Sequence, residues 1–562
     1  MNKKLREVPQ TSRRASFGGR FFRLVLLGMV FLWGALGSLE AQGRAISGTV
    51  TDTQGFPMPG VNITVKESPG VGVITDIDGK YQITAPNDNA VLVYSFIGFQ
   101  VEEISVSGRS VIDVILMEDM LGLEEVVVVG YGVQRRSDLT GALSSVSSEE
   151  IQRMPVANMA QAIQGRASGI DITSNERPGE SGTIRIRGQR SLTASSDPLY
   201  VVDGIPLASK DAINNINPAD IESIDILKDA SSTAIYGSRG ANGVILVTTK
   251  RAKKDALSMN YRGTLTIEKM YDRMEMMNSA DYIEFRRDAY RTAGSYPDVP
   301  TRDADLAIFG MDDYAWANIE QGWAGGSWDG SRVSTTDWTD MVTRTALTQE
   351  HNLSVSGGSD NVLAYGSFGY LNQEGTQLGQ EFERFSTNLN VEVTPVDWFK
   401  YGASVNASSS MQEYGFDSTS PSGARSLYAA ALGMLPYAVP FDDNGDRINL
   451  PGGDVNILNP IGDEKYSIDE RKTYRLLGSL FAEVNLMEGL RYRMNFGPDY
   501  YQRNRGIYRD AMSMNRGGGE PGSTNYAQYS TDSRFSWTLD NLVYYNTSFD
   551  QHNLGLTFLQ TA

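Results

Sequence analysis

Side chains able to carry out bond chemistry are scarce in this sequence. His351 and His552 are the only imidazoles and there is no Cys. A thiol nucleophile, a thiolate metal site, a disulfide scaffold and a His-rich metal centre are therefore excluded. Asp76 and Asp78 could be read as calcium ligands, but no further acidic ligands follow at loop spacing, so turn chemistry is the reading. Asp442, Asp443, Asn444 and Asp446 invite the same question. An EF-hand loop needs Gly at its sixth place, where Arg447 stands, so a polar turn is expected. The run from Gly237 through Gly240 to Gly243 could pass for a phosphate loop. It has neither the GxGxxG spacing nor a GK[ST] ending, and it lies between a helical stretch (230–236) and an apolar strand (244–248). Turn glycines account for it better. No Ser-His-Asp or paired-carboxylate constellation can be defended. No catalytic, cofactor-binding or metal-ligating residue is expected.

The elements that would position any site are mostly strands. The 562 residues carry a formal charge of −18, with 57 Gly and 27 Tyr. Three or four domains of ordinary size fit that length. An acidic chain is a poor generic binder of nucleic acid, because phosphates need clustered Lys and Arg. The body has no apolar run long enough for a helical membrane span, whereas membrane strands, short and half apolar, remain open.

Residues 1–41 read as an export signal. Seven basic residues precede an apolar run from Leu24 to Leu36, and GSLEAQ offers a cut after Ala41. A single membrane anchor is the competing reading, for which thirteen residues are short. Cleavage removes seven basic and two acidic residues, moving the charge from −18 to −23.

Residues 42–119 alternate in short stretches separated by Gly, Pro and Asp turns, as a small β-sandwich does. Asp78-Gly79, between 73–75 and 81–83, signals a hairpin. The pattern GTVTDTQGFPMPGVNITV with TDIDGKY resembles the carboxypeptidase-regulatory-like domain. That resemblance implies a seven-stranded sandwich without catalytic residues.

Val126–Val129 is strongly β-prone and has no obvious partner nearby. It is either a buried strand or one kept free to add to another protein's sheet edge. Ile184 and Ile186 alternate with Arg185 and Arg187, placing both Arg on one side of a strand. They form either a buried pair tethering this domain or a solvated face.

From 257 the chain reads as antiparallel strands near 257–269, 349–357, 362–371, 383–394, 398–409, 473–486, 490–500, 531–546 and 552–560. Phe385, Thr387, Leu389, Val391 and Val393 alternate with Ser386, Asn388, Asn390 and Glu392. A membrane barrel and a soluble sandwich share that alternation. The connections discriminate: long and short ones alternate without a break, as extracellular loops and periplasmic turns do. Tyr and Trp in the long loops could stack on sugars or serve as interfacial girdle residues.

The blocks EEVVVVGYGVQRRSDLTGALSSV, IQGRASGIDITSN, GTIRIRGQRSL, DPLYVVDGIP and INPADIESIDILKDASSTAIYGSRGANGVILVTTKR resemble the SusC/RagA family of TonB-dependent outer-membrane transporters, nearly continuously from Glu124 to Arg251. The resemblance implies a TonB-contacting segment within 120–132, namely Glu125, Val126, Val127, Val128, Val129 and Gly130, and an α+β plug domain over 130–250. Plug motif residues carried over are Arg185, Arg187 and Gly188 of RIRG, and Tyr236, Gly237, Gly240 and Gly243. It further implies import of an oligosaccharide or peptide across the outer membrane with a SusD-like surface lipoprotein, the sandwich being periplasmic. An envelope adhesion or structural β-protein, with the sandwich as binding module, is the rival reading.

Residues 257–562 are then the first part of a transmembrane antiparallel β-barrel. A 121-residue plug is ~35 Å across, nine strands enclose a backbone diameter of only ~18 Å, and ~22 strands give ~44 Å. The chain is accordingly expected to be the N-terminal part of a longer protein, its last strand cut at Ala562.

Overall fold

In the computed structural model, the described residues are 44–562 apart from 54, 67, 97–98, 118–125, 130–131, 136–142, 176, 181, 208, 253, 255–256, 272–273, 418–425, 455–456, 520 and 550–551. The expected export signal at 1–41 lies outside them. The chain divides into two compact units, Met1–Glu125 and Val126–Ala562.

The first unit is a seven-stranded sandwich. Its strands are β1 (Arg44–Asp52), β2 (Asn62–Val65), β3 (Ser68–Ile74), β4 (Lys80–Ala85), β5 (Val91–Ser95), β6 (Glu102–Ser105) and β7 (Val114–Leu116). They form sheets of order β4-β1-β7 and β3-β2-β5-β6. Period-two burial supplies the core between them: Ile46 and Val50 of β1 and Ile83 of β4 meet Ile63, Leu92 and Tyr94. The Tyr81 and Tyr94 hydroxyls share a buried 2.6 Å hydrogen bond, and Tyr81 also donates to the Ile112 carbonyl at 2.8 Å. Burial pushes both phenols above their ordinary range.

The Asp78-Gly79 turn corrects the hairpin expectation. The Asp76 carboxylate accepts from the Asp78 and Lys80 amides, so turn chemistry holds. Yet β3 and β4 belong to different sheets, and the turn carries the chain across the sandwich. Gly79 has φ +71, and a Cβ there would lie 2.5 Å from the Val50 carbonyl.

The second unit opens with a two-stranded hairpin, β8 (Val126–Val129) and β9 (Gly132–Arg135). A mixed five-stranded sheet follows, ordered β10-β15-β16-β13-β14: β10 (Leu143–Ser147), β13 (Leu199–Val202), β14 (Ile205–Pro206), β15 (Ile221–Leu227) and β16 (Val244–Thr249). β11 (Ile170–Thr173) and β12 (Thr183–Ile186) form a separate hairpin. Short helices cover the sheet. Ser148–Gln152 starts at a capping box between Ser147 and Glu150, and Met159–Ile163 is capped by Asn158. This is the expected α+β domain.

The rest is one antiparallel sheet in sequence order: β17 (Ser258–Glu268), β18 (Ala346–Gly358), β19 (Val362–Glu374), β20 (Glu381–Val396), β21 (Phe399–Glu413), β22 (Ser467–Met487), β23 (Leu490–Arg509), β24 (Tyr526–Phe549) and β25 (His552–Thr561). All nine expected strands form. The sheet is open, since among the described residues β17 and β25 pair with one neighbour each. Along β20, Phe385, Leu389 and Val391 are exposed outward while Arg384, Ser386, Asn388 and Asn390 are buried inward. This wall is an unclosed partial barrel with an apolar outside and a polar inside.

Two differences from the sequence expectation stand out. Strands run further than their apolar alternation: β22 begins at Ser467, where Ile468–Lys472 is almost wholly charged, yet the backbone ladder with β23 continues. The connection between β17 and β18 is largely helical, with Ser279–Thr292, Arg302–Phe309, Asp313–Glu320 and Trp338–Val342. These helices share a core with Leu427–Leu432 of the β21–β22 connection through Ile283, Phe309, Trp316, Trp338 and Leu427. Inside that module Arg287 and Asp305 are fully buried, paired at 3.0 Å, and Asp305 also accepts from Tyr296 and Trp323.

Candidate functional site: the plug and its seat on the wall

The plug's sequence blocks converge on one corner. Ile184 and Ile186 of β12 enter the plug core, which β15 and β16 complete with Ile224, Ile226, Ile245 and Val247. Arg185 is half-buried and stands opposite Asp171 in register. Arg187 lies one residue beyond the strand with φ +57, and its guanidinium meets the Asp229 carboxylate at 2.6 Å. That left-handed turn takes Arg187 out of the strand's alternation, so the two Arg do not stand on one strand face as expected. Arg187 clips the plug to itself rather than to the wall. Gly188 continues the turn at φ +85.

The second motif folds back onto the first. Tyr236 packs against Val201, Leu227, Val244 and Leu246. Gly237 breaks a 3-10 segment at φ 57, ψ −141, and a Cβ on Gly240 would come within 2.7 Å of the Thr233 carbonyl. Gly243 has φ +90, and its missing Cβ would lie 2.6 Å from the Ile186 Cδ1. These glycines make tight turns and close contacts, and form no phosphate cradle. Lys228 sits beside them, donating to the Ser144 hydroxyl and the Ser168 carbonyl at 2.5 Å each. Burial pulls its ammonium below the ordinary lysine range.

What ties plug to wall is a set of polar residues that the sequence did not single out. Asp220 is buried and accepts from Tyr365 of β19 at 3.2 Å and from Ser367 at 2.5 Å. Burial pushes its carboxyl above the ordinary range, outweighing those hydrogen bonds and nearby Lys250 and Arg384. Asn217 donates to Asn352 at 2.6 Å, Arg384 to the Asn214 carbonyl at 2.9 Å, Ser404 to Asp203 at 3.3 Å, and Gln412 to the Pro178 carbonyl at 2.7 Å. Arg471 reaches Glu180 at 3.3 Å. Arg177 of the plug and Arg471 of the wall both lie over the Tyr414 ring, 3.7 and 3.2 Å from its centroid. Among the described residues, Leu477 alone joins the plug's buried apolar core from the wall. A buried polar residue in a strand looks like any solvent-facing one until its partner is known, so sequence had no signal for this seam.

Val126–Val129 does have a partner, contrary to expectation: β9 pairs with it from Val126↔Arg135 to Val129↔Gly132. Among the described residues neither strand pairs with anything else, so each keeps an open edge. Glu125 and Gly130 lie outside the described residues. The polar turn at Asp442 forms as expected, its carboxylate accepting from the Asn444 and Asp446 amides. No acidic or His cluster suited to a metal occurs among the described residues.

Comparison with known proteins agrees with this architecture. Residues 135–244 match the TonB-dependent Receptor Plug Domain family, and 46–128 match the CarboxypepD_reg-like domain. TonB-dependent receptor P3 of Formosa agariphila is 34% identical over 539 residues, covering 95% of this chain and 49% of that protein. TonB-dependent receptor SusC of Bacteroides thetaiotaomicron is 34% identical over 383 residues, 66% of this chain and 34% of SusC. Among solved structures, the RagAB peptide importer in its open-open state matches with TM-score 0.64 and 27% identity, over 78% of this chain and 48% of that one. The chain spans about half the length of the first of these relatives. Matched along nearly its whole length by receptors of this kind, and built with their sandwich, plug and wall, the chain is of the SusC/RagA type of TonB-dependent receptor.

Proposed function

We propose that this chain supplies the coupling segment, the plug and part of the wall of an energy-coupled importer in the outer membrane of a Gram-negative bacterium. The observation that carries the reading is the seam. The plug has an apolar core of its own and meets the wall largely through hydrogen bonds, ion pairs and cation–π contacts. Leu477 and the packing of Ile205 on Gly497 and Phe382 on Gly179 are apolar exceptions, so most of that core stays covered when the plug shifts. Cargo binds on the long-loop side, and TonB pulls at residues 120–132, with Glu125, Val126, Val127, Val128, Val129 and Gly130 as the grip. The open edge of the β8–β9 hairpin supports strand addition there, where main-chain hydrogen bonds hold the partner and side-chain identity matters less. A SusD-like surface lipoprotein caps the long-loop side, and the cargo is an oligosaccharide or a peptide. The sandwich at 42–119 lies in the periplasm, after a signal cleaved near Ala41. Plug residues 130–250 then close the path at rest, with the two glycine-bearing motifs setting the plug's own shape.

The test is deletion of Glu125–Gly130 in the protein in its native membrane. Uptake should be abolished while binding at the cell surface is retained, because the grip is lost and the outer site is not. Unchanged protonophore-sensitive uptake in the deletion strain refutes the assignment.

A further inference from the structure

On β22 and β23 the long-loop end of the wall carries charge opposite in sign to the chain as a whole. On the inward rows of β22 and β23, from 467 to 477 and 499 to 509, Arg471, Arg475, Arg503, Arg505 and Arg509 stand with only Asp469 and Asp499. Arg471 lies directly opposite Arg505 in register, an arrangement that costs stability unless a counter-charge intervenes. Asp469 intervenes. Arg505 binds it at 2.8 and 2.6 Å, and Arg471 at 3.2 Å through two nitrogens. Arg475 takes Asp499 at 2.9 Å. Both acids on these rows are thus occupied.

Arg503 is left. It stands opposite Thr473 on one side and Asp532 on the other, and among the described residues no carboxylate comes within 4.0 Å of it. It borders a cavity of about 140 Å³ between plug and wall, shared with Glu180, Gln412, Arg471, Thr473 and Tyr501. Glu180, the only acid in that lining, is held aside by Arg471 and Gln412, each at 3.3 Å. The space fits a carboxylate with two or three waters, at ~30 Å³ per water.

We propose that this cavity receives a carboxylate of the cargo, bound by the Arg503 guanidinium beside Tyr501 and Thr473. The inference rests on the importer reading and narrows its cargo to an acidic one. Without a local positive site, a chain of formal charge −18, or −23 without residues 1–41, repels such a cargo; cations inside a narrow low-dielectric passage draw it inward. A guanidinium matches the two oxygens of a carboxylate in one plane. The carboxylate can come from a uronate-bearing oligosaccharide or from the C-terminus of a peptide.

The experiment measures binding to the full-length protein purified in detergent from its native membrane. Probes are trigalacturonate against its methyl ester, and trialanine against trialanine amide. In low salt, one acid should bind roughly 10-fold tighter than its neutral partner, as a charge-assisted hydrogen bond allows. Arg503→Gln should remove that preference and Arg503→Lys should keep part of it. If Arg503→Gln fails to assemble, Thr473→Glu, which places a carboxylate in the lining of the cavity beside Arg503, should remove the preference instead. Equal binding or no binding of acid and neutral probes in both pairs overturns the site, as does a preference that survives the substitution. Protonophore-sensitive uptake by cells reads the importer separately. Acid preference without uptake upholds the site and sinks the importer, and uptake without acid preference does the reverse.

Discussion

Single residues set the shape and the tension of the plug. Gly243 joins the two plug motifs, since its α-carbon faces Ile186 with no room for a methyl group and its φ is +90. Gly243→Ala should therefore destabilise the plug by about 3 kcal/mol, combining backbone strain with overpacking. Limited proteolysis of the plug in the assembled protein reads this as earlier cleavage, and unchanged resistance would show that the turn relaxes freely. Asp220 sets a pH dependence. Its folded-state pKa is raised by burial, so its contribution to seating is fullest below the ordinary carboxyl range, ~4, and is lost as pH rises through the raised value. Asp220→Asn removes that dependence. The plug of the variant should gain protease resistance relative to wild type between pH ~4 and 7, the gap widening with pH. A gap independent of pH would place the effect in packing instead.

At the scale of elements, alternation and turn residues were legible, and partnerships were not. All nine wall strands followed from period-two patterning, because one face is apolar and the other polar wherever the wall separates two environments. Their ends were misjudged where the environment becomes the same on both faces, as at Ile468–Lys472. The helices at 279–342 went unread because three of them are only five to eight residues and the longer one, Ser279–Thr292, is mostly polar with few apolar residues to set a period. Asp78-Gly79 announced a turn correctly, but a turn says nothing about which sheet receives the next strand. Likewise Val126–Val129 was legible as a strand and its partner, starting three residues on at Gly132, was not. The sandwich offers a direct test of how tightly such a crossing is fitted. Residues 42–119 made alone should fold, since their core is internal to the unit. Gly79→Ala forces a Cβ against the Val50 carbonyl and should cost about 2 kcal/mol, lowering the melting temperature by roughly 8–16 °C. Circular dichroism on both proteins measures it, and a shift under ~3 °C would mean that the crossing is loosely held.

At the scale of the whole molecule the sheet's two ends govern behaviour. Unpaired N–H and C=O groups along β17 and β25 would each cost several kcal/mol in hydrocarbon. Residues 42–562 made without other partners should not give a heat-modifiable, protease-resistant species in detergent, and a resistant band covering 257–562 would contradict this. Within the second unit, strength is unevenly distributed. The plug's interior is apolar, and although Leu477 reaches into it from the wall, most of the boundary is a row of separate polar latches: Asn217 on Asn352, Asp220 on Tyr365 and Ser367, Gln412 on the Pro178 carbonyl, Tyr414 between Arg177 and Arg471. Polar latches yield one at a time and can re-form with water, whereas an interdigitated core yields all at once. Under mechanical load the boundary is therefore expected to slip before the plug unravels, as a bearing moves in its housing, and the domain should return intact when the force is released.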